Sequence, residues 1–250
     1  MHKQFKAMYA LLFNYWKKSF HNVFFAFVFP VMFLLILSAI PTFEVNDLIP
    51  GIIASACSVV GIVSLSMSFS DLKETIIYKR ISVLPLKPWI FVASIISFYT
   101  ILIWISALWV FIFSLTFWHS KIALGNINFG YIILGMIFLS VICSSLGVIV
   151  AVIARDYKMA NALSMLFYLL PAWVSGMYLP ISVITKSSVL KIIAMCLPFS
   201  YPVATINYGW NKSLPLLFDS PIWVFILISL AVSVIFVVLA IVAFKFRKRV

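Results

Sequence analysis

The sequence predicts an all-α polytopic membrane protein: six transmembrane helices, an N-terminal amphipathic interfacial helix, and outer re-entrant helices between spans five and six. Three observations predict this fold class. First, 65% of the 250 residues are hydrophobic and 10% are charged, a composition unlike that of soluble domains. Second, six stretches are apolar over the roughly 20 residues that a helix needs to cross a bilayer core. Third, positive charge is concentrated on the segments at one end of those stretches.

The predicted spans alternate with connections that differ strongly in charge. The spans cover about residues 23–41, 48–69, 89–117, 129–153, 160–180 and 222–244. Six crossings place both termini on one side, which then carries 14 of the 18 lysines and arginines, against 4 on the other side. By the positive-inside rule, both termini are cytoplasmic. The net charge of +12 is therefore a topology signal and an attraction to anionic headgroups, not a nucleic-acid-binding surface.

Residues 1–22 are predicted to form the amphipathic helix. Apolar side chains recur every three or four residues from Phe5 to Trp16, and four lysines lie on the opposite face. This pattern favours a helix in the cytoplasmic interface, with its aromatic face in lipid and its lysines among the headgroups. Packing on a soluble partner is the alternative.

Span two carries a continuous stripe of small residues at steps of three or four. They are Gly51, Ser55, Ser58, Gly61, Ser64 and Ser68. Small residues let helix backbones approach closely, and serine hydroxyls can bond across the contact. We favour tight helix packing over a substrate path as the role of the stripe, and both interpretations place this helix at the centre of the bundle.

Residues 70–88 form the longest cytoplasmic connection. Asp71 and Glu74 have the spacing of a capping box, which predicts a short helix from Asp71 to about Ile81. Pro85 and Pro88 then end it before span three. A short helix held between two spans suits the transmission of force from a cytoplasmic partner, whereas a solvated loop is the alternative.

Residues 181–221 are predicted to form an extracellular re-entrant cap. Val189 to Tyr208 is apolar, but it contains a lysine, two prolines and Asn207, and a seventh crossing would place the basic C-terminus outside. Irregular backbone at membrane depth is tolerated where protein or a wet cavity covers it. The cap is therefore a candidate for function.

The sequence lacks groups that could power transport or carry out catalysis. None of its six acids, 18 bases and three histidines lies in the middle of a span, whereas ion-coupled carriers usually need such residues. No glycine is followed by lysine, so there is no GxxxxGK phosphate-binding loop. HExxH and other clusters of metal ligands are also missing, as is a histidine within a span to activate a serine. Energy for transport must therefore come from another chain.

Four segments, in order, resemble the permeases of ABC-2 type ATP-binding-cassette exporters. They are the amphipathic lead into Phe29-Pro30; Lys73-Glu74-Thr75 through Tyr78-Lys79-Arg80, with Leu84-Pro85-Leu86-Lys87-Pro88; Leu146-Gly147 with Arg155-Asp156; and Pro171 through Ser175-Gly176-Met177-Tyr178-Leu179-Pro180, with Leu197-Pro198-Phe199-Ser200-Tyr201-Pro202. Leu84 and Lys87 depart from the family, where small polar residues are commoner. The resemblance covers essentially the whole chain, residues 1–250, which we predict to be a single transmembrane domain.

The resemblance implies a multi-pass permease of a bacterial plasma membrane without an ATPase site of its own. Two ABC ATPase subunits, which bind ATP and Mg, and a second permease subunit, identical or paralogous, are the implied partners. The resemblance also implies that spans two and five line the central interface, and that the N-terminal helix touches the ATPases. For coupling to the ATPases it selects Glu74, Tyr78, Lys79 and Arg80.

The cargo path is predicted from polar and aromatic side chains in spans two and five. The candidates are Ser55, Ser58, Asn161, Ser164, Tyr168 and Trp173. Asn161, Ser164 and Tyr168 share one helix face, and hydrogen bonding between helices is their alternative role.

An apolar interior free of charge predicts export of an amphipathic or hydrophobic cargo, such as a drug, an antimicrobial peptide or a toxin-like peptide. A lipid-linked glycan exporter of the same superfamily would need binding groups for sugar or phosphate, which the sequence does not identify. A membrane sensor or immunity protein that binds a toxin without moving it is a third hypothesis, and measured flux separates it from the first. A channel is disfavoured because the sequence has no ring of charges and no carbonyl-filter motif.

Overall fold

The computed structural model describes residues 2–41, 43–75, 88–122, 125 and 127–247, and within them it contains helices and connections but no strands. The helices are α1 (His2–Lys18), α2 (Phe20–Ser38), α3 (Val45–Glu74), α4 (Pro88–Trp118), α5 (Phe129–Ile153), α6 (Tyr157–Val174), α7 (Ile181–Lys186), α8 (Ser188–Cys196), α9 (Ser200–Trp210) and α10 (Ile222–Arg247). Two of them contain π-helical turns, at Phe24–Val28 in α2 and at Val59–Ser64 in α3. The predicted all-α membrane fold is confirmed.

Five of these helices, α2, α3, α4, α5 and α10, are long and apolar enough to cross a membrane. They correspond to predicted spans one to four and six. The predicted fifth span is α6, an 18-residue helix that is less apolar because Lys158 and Asn161 lie in its first turns. Tyr157, its first residue, bonds to Glu74, and Met177, just beyond its end, lies against Gly51. Helix α6 therefore runs antiparallel to α3 over most of its length.

The segment between α6 and α10 begins and ends at one end of the bundle. Met177 contacts Gly51 near the start of α3, and Trp210 Nε1 donates to Asn46 Oδ1 at 3.1 Å. Between these points α8 and α9 are bent by 111° relative to each other. Pro202 in α9 lies against Gly135, which is six residues, or about 9 Å, into α5. The predicted re-entrant helices are therefore present.

Residues 39–41, 43–46, 118–122 and 175–221 form one end of the bundle, the cap end, and residues 72–75, 153–158 and 244 form the other, the basic end.

Helix α3 occupies the centre of the bundle. All of its most apolar stretch is buried within the chain. It packs against α4, α5 and α6, against α2 through its first half and its π-helical turn, and against α9 through its first half. The small-residue stripe explains this position, because helix axes approach closely where side chains are small.

The apolar face of helix α1 packs against protein, whereas the sequence predicted that it faces lipid. Met8, Leu12 and Trp16 are buried, and Tyr9 Oη donates to Ser97 Oγ of α4 at 2.7 Å. Only part of the predicted lipid-facing side is uncovered, as at Phe13, which is 50% exposed. The face packs on α4 rather than in lipid because Ser97 and Phe98 offer it polar and aromatic partners.

The predicted cap at Asp71 is wrong. Residues 71–74 are the last turn of α3, which continues unbroken from span two and ends where Thr75 adopts an extended backbone conformation. A residue can cap a helix only where the helix begins. The remainder of the predicted helix, from residue 76 to Ile81, lies outside the described residues.

Candidate functional site

The basic end of α3 is fastened to the end of α5 by Lys73. Its Nζ donates to the carbonyl oxygens of Ala151 and Ala154, the latter at 3.1 Å. These carbonyls belong to the last turn of α5 and its C-cap, where the helix leaves acceptors unsatisfied and carries partial negative charge. The Lys73 ammonium donates hydrogen bonds to these carbonyls and offsets their partial negative charge, so it links α3 to α5.

The neighbouring residue, Glu74, fastens α3 to the start of α6. Its Oε1 accepts a hydrogen bond from the Tyr157 backbone N–H at 3.1 Å. Asp156 caps the same helix by accepting from the Met159 N–H at 2.8 Å. Partial burial and the nearby Asp71 carboxylate raise the pKa of the Tyr157 phenol. Carboxylates therefore surround the positive end of the α6 dipole.

We call the set Lys73, Glu74, Ala151, Ala154 and Tyr157 the clasp. Lys73 and Glu74 are consecutive residues of opposite charge. Lys73 bonds α3 to the end of α5, and Glu74 bonds α3 to the start of α6, on the two sides of the turn that joins α5 to α6. The other predicted coupling residues, Tyr78, Lys79 and Arg80, follow within a few residues and lie outside the described residues. Glu74 is thus engaged within its own chain.

The middle of α3 is in backbone contact with α5. A Cβ built on Gly61 would lie 2.7 Å from the Cys143 Cβ, and one built on Gly147 would clash with the Gly61 carbonyl oxygen. Ser66 Oγ donates to the Gly147 carbonyl oxygen at 3.1 Å. No side chain larger than hydrogen fits at this crossing without a shift of the backbone.

The cap end of α3 packs on the turn that follows α6. A Cβ on Gly51 would lie 2.8 Å from the Gly176 carbonyl oxygen, and Ser58 Oγ lies 3.4 Å from Met177 Sδ. Gly176 itself has φ +90, a conformation that favours glycine. The turn therefore presents its backbone directly to α3.

The six predicted cargo-path residues fall into two groups. Ser55, Ser58, Ser164 and Tyr168 are buried. Ser55 lies beside the Tyr178 hydroxyl, which is also hydrogen-bonded to Tyr168. Ser164 instead donates to the Asn161 carbonyl oxygen at 2.9 Å.

The second group, Asn161 and Trp173, is not fully buried. Asn161 is near the basic end, and its Oδ1 has no hydrogen-bond partner among the described residues. Trp173 is exposed on one side and packs on the Tyr178 ring, with centroids 5.4 Å apart. The structure brings Ser55 and Tyr168 together through Tyr178, but it does not bring all six residues to one site.

Tyr178 was missed as a site residue, although it lies in the Ser175–Pro180 segment that carried the resemblance. It is fully buried, it stacks on Phe33 of α2 with centroids 4.5 Å apart, and it bonds to Tyr168 of α6. A buried tyrosine that touches three helices joins the cap end to the bundle.

A buried polar cluster near the basic end was also missed. Asn22 Oδ1 accepts from Ser64 Oγ and Ser68 Oγ, each at 2.9 Å, and Tyr99 lies beside the same serines. The cluster joins α2, α3 and α4 next to both π-helical turns. The sequence signal for this cluster is the four-residue spacing of Ser64 and Ser68. That spacing places both hydroxyls on one helix face, where a single partner can bond to both.

A comparison of the sequence with known protein families agrees with this helical membrane architecture. A family model described as ABC-2 type transporter matches residues 2–209. The chain therefore belongs to the ABC-2 type transporter family. A comparison with curated proteins returns no match. Members of this family are transmembrane permease components that work with ATPase partners, so the chain is a multi-pass membrane permease rather than an ATPase.

Proposed function

We propose that this chain is the permease subunit of an ATP-driven exporter for an amphipathic or hydrophobic cargo, such as a drug or an antimicrobial or toxin-like peptide. The observation that carries the proposal is the continuity of α3. One helix runs from the clasp, at the start of the predicted coupling stretch, to the backbone contact with Gly176 at the cap end.

The proposed mechanism is mechanical. Two ABC ATPases bind ATP and Mg at the basic end, which faces the cytoplasm because the charge of the connections is positive there. Their closure displaces residues 70–88, through Tyr78, Lys79 and Arg80. The clasp makes α3 and the turn between α5 and α6 move with this segment, because Lys73 bonds to α5 and Glu74 bonds to α6.

The cargo path opens at the cap end in this proposal. Ser55 and Ser58 are covered by Met177 and Tyr178, and we take this arrangement to be the closed state of the path. Movement of α3 relative to the 175–180 turn would uncover those serines together with Tyr168. The polar side chains that surround Ser58 among the described residues are uncharged, such as the Met177 thioether and the Cys143 thiol, which suits an apolar or amphipathic cargo.

The second permease, identical or paralogous, is proposed to contact α6. Helix α3 is covered by its own chain, whereas α6 exposes Leu166, Phe167, Leu170 and Trp173. Span two was also implied to line the central interface, but α3 is covered by its own chain. We therefore propose that role for span five alone.

The experiment has two arms. Purification of the tagged chain from its native membrane is expected to bring down an ABC ATPase. Cells that carry the pair are then screened with a panel of fluorescent amphiphiles, and efflux should require both the chain and the Walker lysine of the ATPase. Efflux that persists without ATP rejects the proposal, and a copurified ATPase without flux supports the sensor or immunity hypothesis.

A further inference from the structure

A cleft of about 200 Å³ lies between α3, α4, α5 and the end of α9. All the side chains that line it are apolar. Its floor includes Ile53, Ala107, Ile132, Met136 and Trp210, which are buried. We call it the lateral cleft.

The cleft opens sideways rather than towards either end of the bundle. Its rim contains Leu108, Phe129 and Ile133, which are 55%, 51% and 43% exposed. These residues belong to α4 and α5, two helices that span the membrane. The rim is therefore continuous with the surface that faces hydrocarbon.

The cleft lies mostly in the half of the bilayer nearer the cap end and reaches just past the middle of the bilayer. Met136 lies seven residues below Phe129 and Phe111 lies seven residues below Trp118, in each case about 10 Å along the helix. Trp104 lies about 21 Å below Trp118. The cleft thus runs along the direction in which lipid chains extend.

We propose that the lateral cleft binds one acyl chain of a phospholipid from the leaflet at the cap end. A dry apolar cavity of about 150 Å³ already admits a hydrocarbon the size of benzene, and the volume here is larger and open to lipid. Water has no hydrogen-bond partner on these walls. The membrane supplies hydrocarbon at the rim, so an acyl chain is the occupant that the surroundings and the chemistry both favour.

The bound chain connects lipid to the centre of the transporter. It contacts the ring of Trp210, whose Nε1 bonds to Asn46 near the start of α3. The Asn128 N–H bonds to the Gly209 carbonyl oxygen at 2.7 Å beside the same tryptophan. An acyl chain in the cleft therefore stabilises the junction between α9, α3 and α5.

Fluorescence quenching tests this binding. Trp210 is 2% exposed in the native chain, so in a variant whose other tryptophans are replaced by phenylalanine it should be shielded from bulk lipid. Vesicles of phosphatidylcholine brominated in the middle of one acyl chain should quench Trp210 as strongly as they quench Trp223, which is 58% exposed, in the matching Trp223-only chain.

A matched pair of variants separates the cleft from bulk lipid. Ala107→Phe fills the floor and should remove most of the quenching. Ala231→Phe makes the same change on the exposed face of α10 at similar depth and should leave it intact. In the chain with all its tryptophans, native mass spectrometry should show one retained phospholipid fewer for Ala107→Phe than for Ala231→Phe.

Several results would overturn the proposal. Quenching of Trp210 that is weak, or equal in the two variants, would mean that no acyl chain enters. Quenching by a brominated single-chain detergent but not by the phospholipid would assign the cleft to a free amphiphile. Loss of a dimer in Ala107→Phe would assign it to a second copy of this chain. If Ala107→Phe does not fold, Ile133→Trp at the rim, in the chain with all its tryptophans, closes the cleft with less overpacking, and the retained phospholipid is the readout.

Discussion

Helices α3 and α10 are both apolar enough to span a membrane, yet they occupy opposite environments. The most apolar stretch of α3 is wholly buried within the chain, whereas 22% of the corresponding stretch of α10 is buried. Hydropathy identifies both as spans, and the more apolar of the two, α10, is the less buried. Residue size does, because α3 carries glycine and serine along one side and α10 exposes leucine, isoleucine and valine. Small side chains mark the helix that other helices surround.

Helices α3 and α10 also differ in how they are held within the bundle. Helix α3 is held at both ends and at its middle, by the clasp, by Gly51 and by the crossing at Gly61 and Gly147. Helix α10 joins the bundle mainly through α5 and α9. A helix held along its length is suited to carry displacement from one end to the other. Substitutions in α3 should therefore have larger effects than matched substitutions in α10.

The largest effect is expected from Gly147→Leu. The new side chain meets the Gly61 backbone, which has no flexible atoms to yield. Overpacking costs about 1–3 kcal/mol and occasionally more, and a clash with backbone belongs at the upper end of that range. At about 2–4 °C per kcal/mol, the melting temperature in detergent should fall by roughly 6–12 °C. Val234→Leu on the exposed face of α10 is the control, and equal melting temperatures for the two variants would contradict the central position of the crossing.

Lys73→Met should have the next largest effect. Methionine keeps the length of the side chain and removes the charge that holds the end of α5. A partly buried charge at a helix end contributes up to about 2 kcal/mol, and roughly 1.4 kcal/mol corresponds to a tenfold change. In vesicles with the copurified ATPase, cargo moved per ATP hydrolysed should fall about tenfold.

The control for the clasp is Lys158→Met, which removes an exposed lysine from the same end of the bundle. It should keep the wild-type ratio of transport to hydrolysis. If transport and hydrolysis fall in equal proportion in Lys73→Met, the clasp stabilises the fold without transmitting displacement.

Tyr178→Phe should have a smaller effect, because it removes one hydroxyl from a well-packed ring. Hydrogen bonds between membrane helices contribute about 0.6 kcal/mol on average, so the melting temperature should fall by about 1–2 °C. The control is Tyr131→Phe, because the Tyr131 ring packs on Tyr208 and not on Tyr178 or Tyr168. A fall as large as that of Gly147→Leu would mean that the cap end depends on this bond more than on backbone packing.

The smallest effect is expected on α10. Leu230→Ala shortens a side chain that is exposed on the membrane-facing side, and surface substitutions usually stay within about 0.5 kcal/mol. Thermal melting and transport should both match the wild-type chain. A loss comparable with that of Lys73→Met would show that α10 is covered by another subunit.

Sequence reasoning predicted the parts of this structure that follow from periodicity and composition. The stripe from Gly51 to Ser68 predicted the central position of α3, and the lysine, prolines and Asn207 within the cap argued against a seventh crossing. Both depend on local patterns that any packing must respect. The re-entrant α8 and α9 follow from the same reasoning.

Tertiary contacts explain what the sequence did not predict. Asp71 and Glu74 have the spacing of a capping box, but α3 continues through them because Lys73 and Glu74 find partners 78 and 83 residues away. The apolar face of α1 has the pattern of a lipid-facing helix and instead meets α4. Tyr178 gains its role from Phe33 and Tyr168, which no local pattern places beside it.

Reconstitution in vesicles tests the central claim, that a partner ATPase powers this permease through α3. The cargo would be the amphiphile that cells expressing the pair export best. We predict uphill accumulation when the chain, its ATPase and ATP are present, and none when the chain alone is given a pH or sodium gradient. Gradient-driven accumulation by the chain alone would contradict the account.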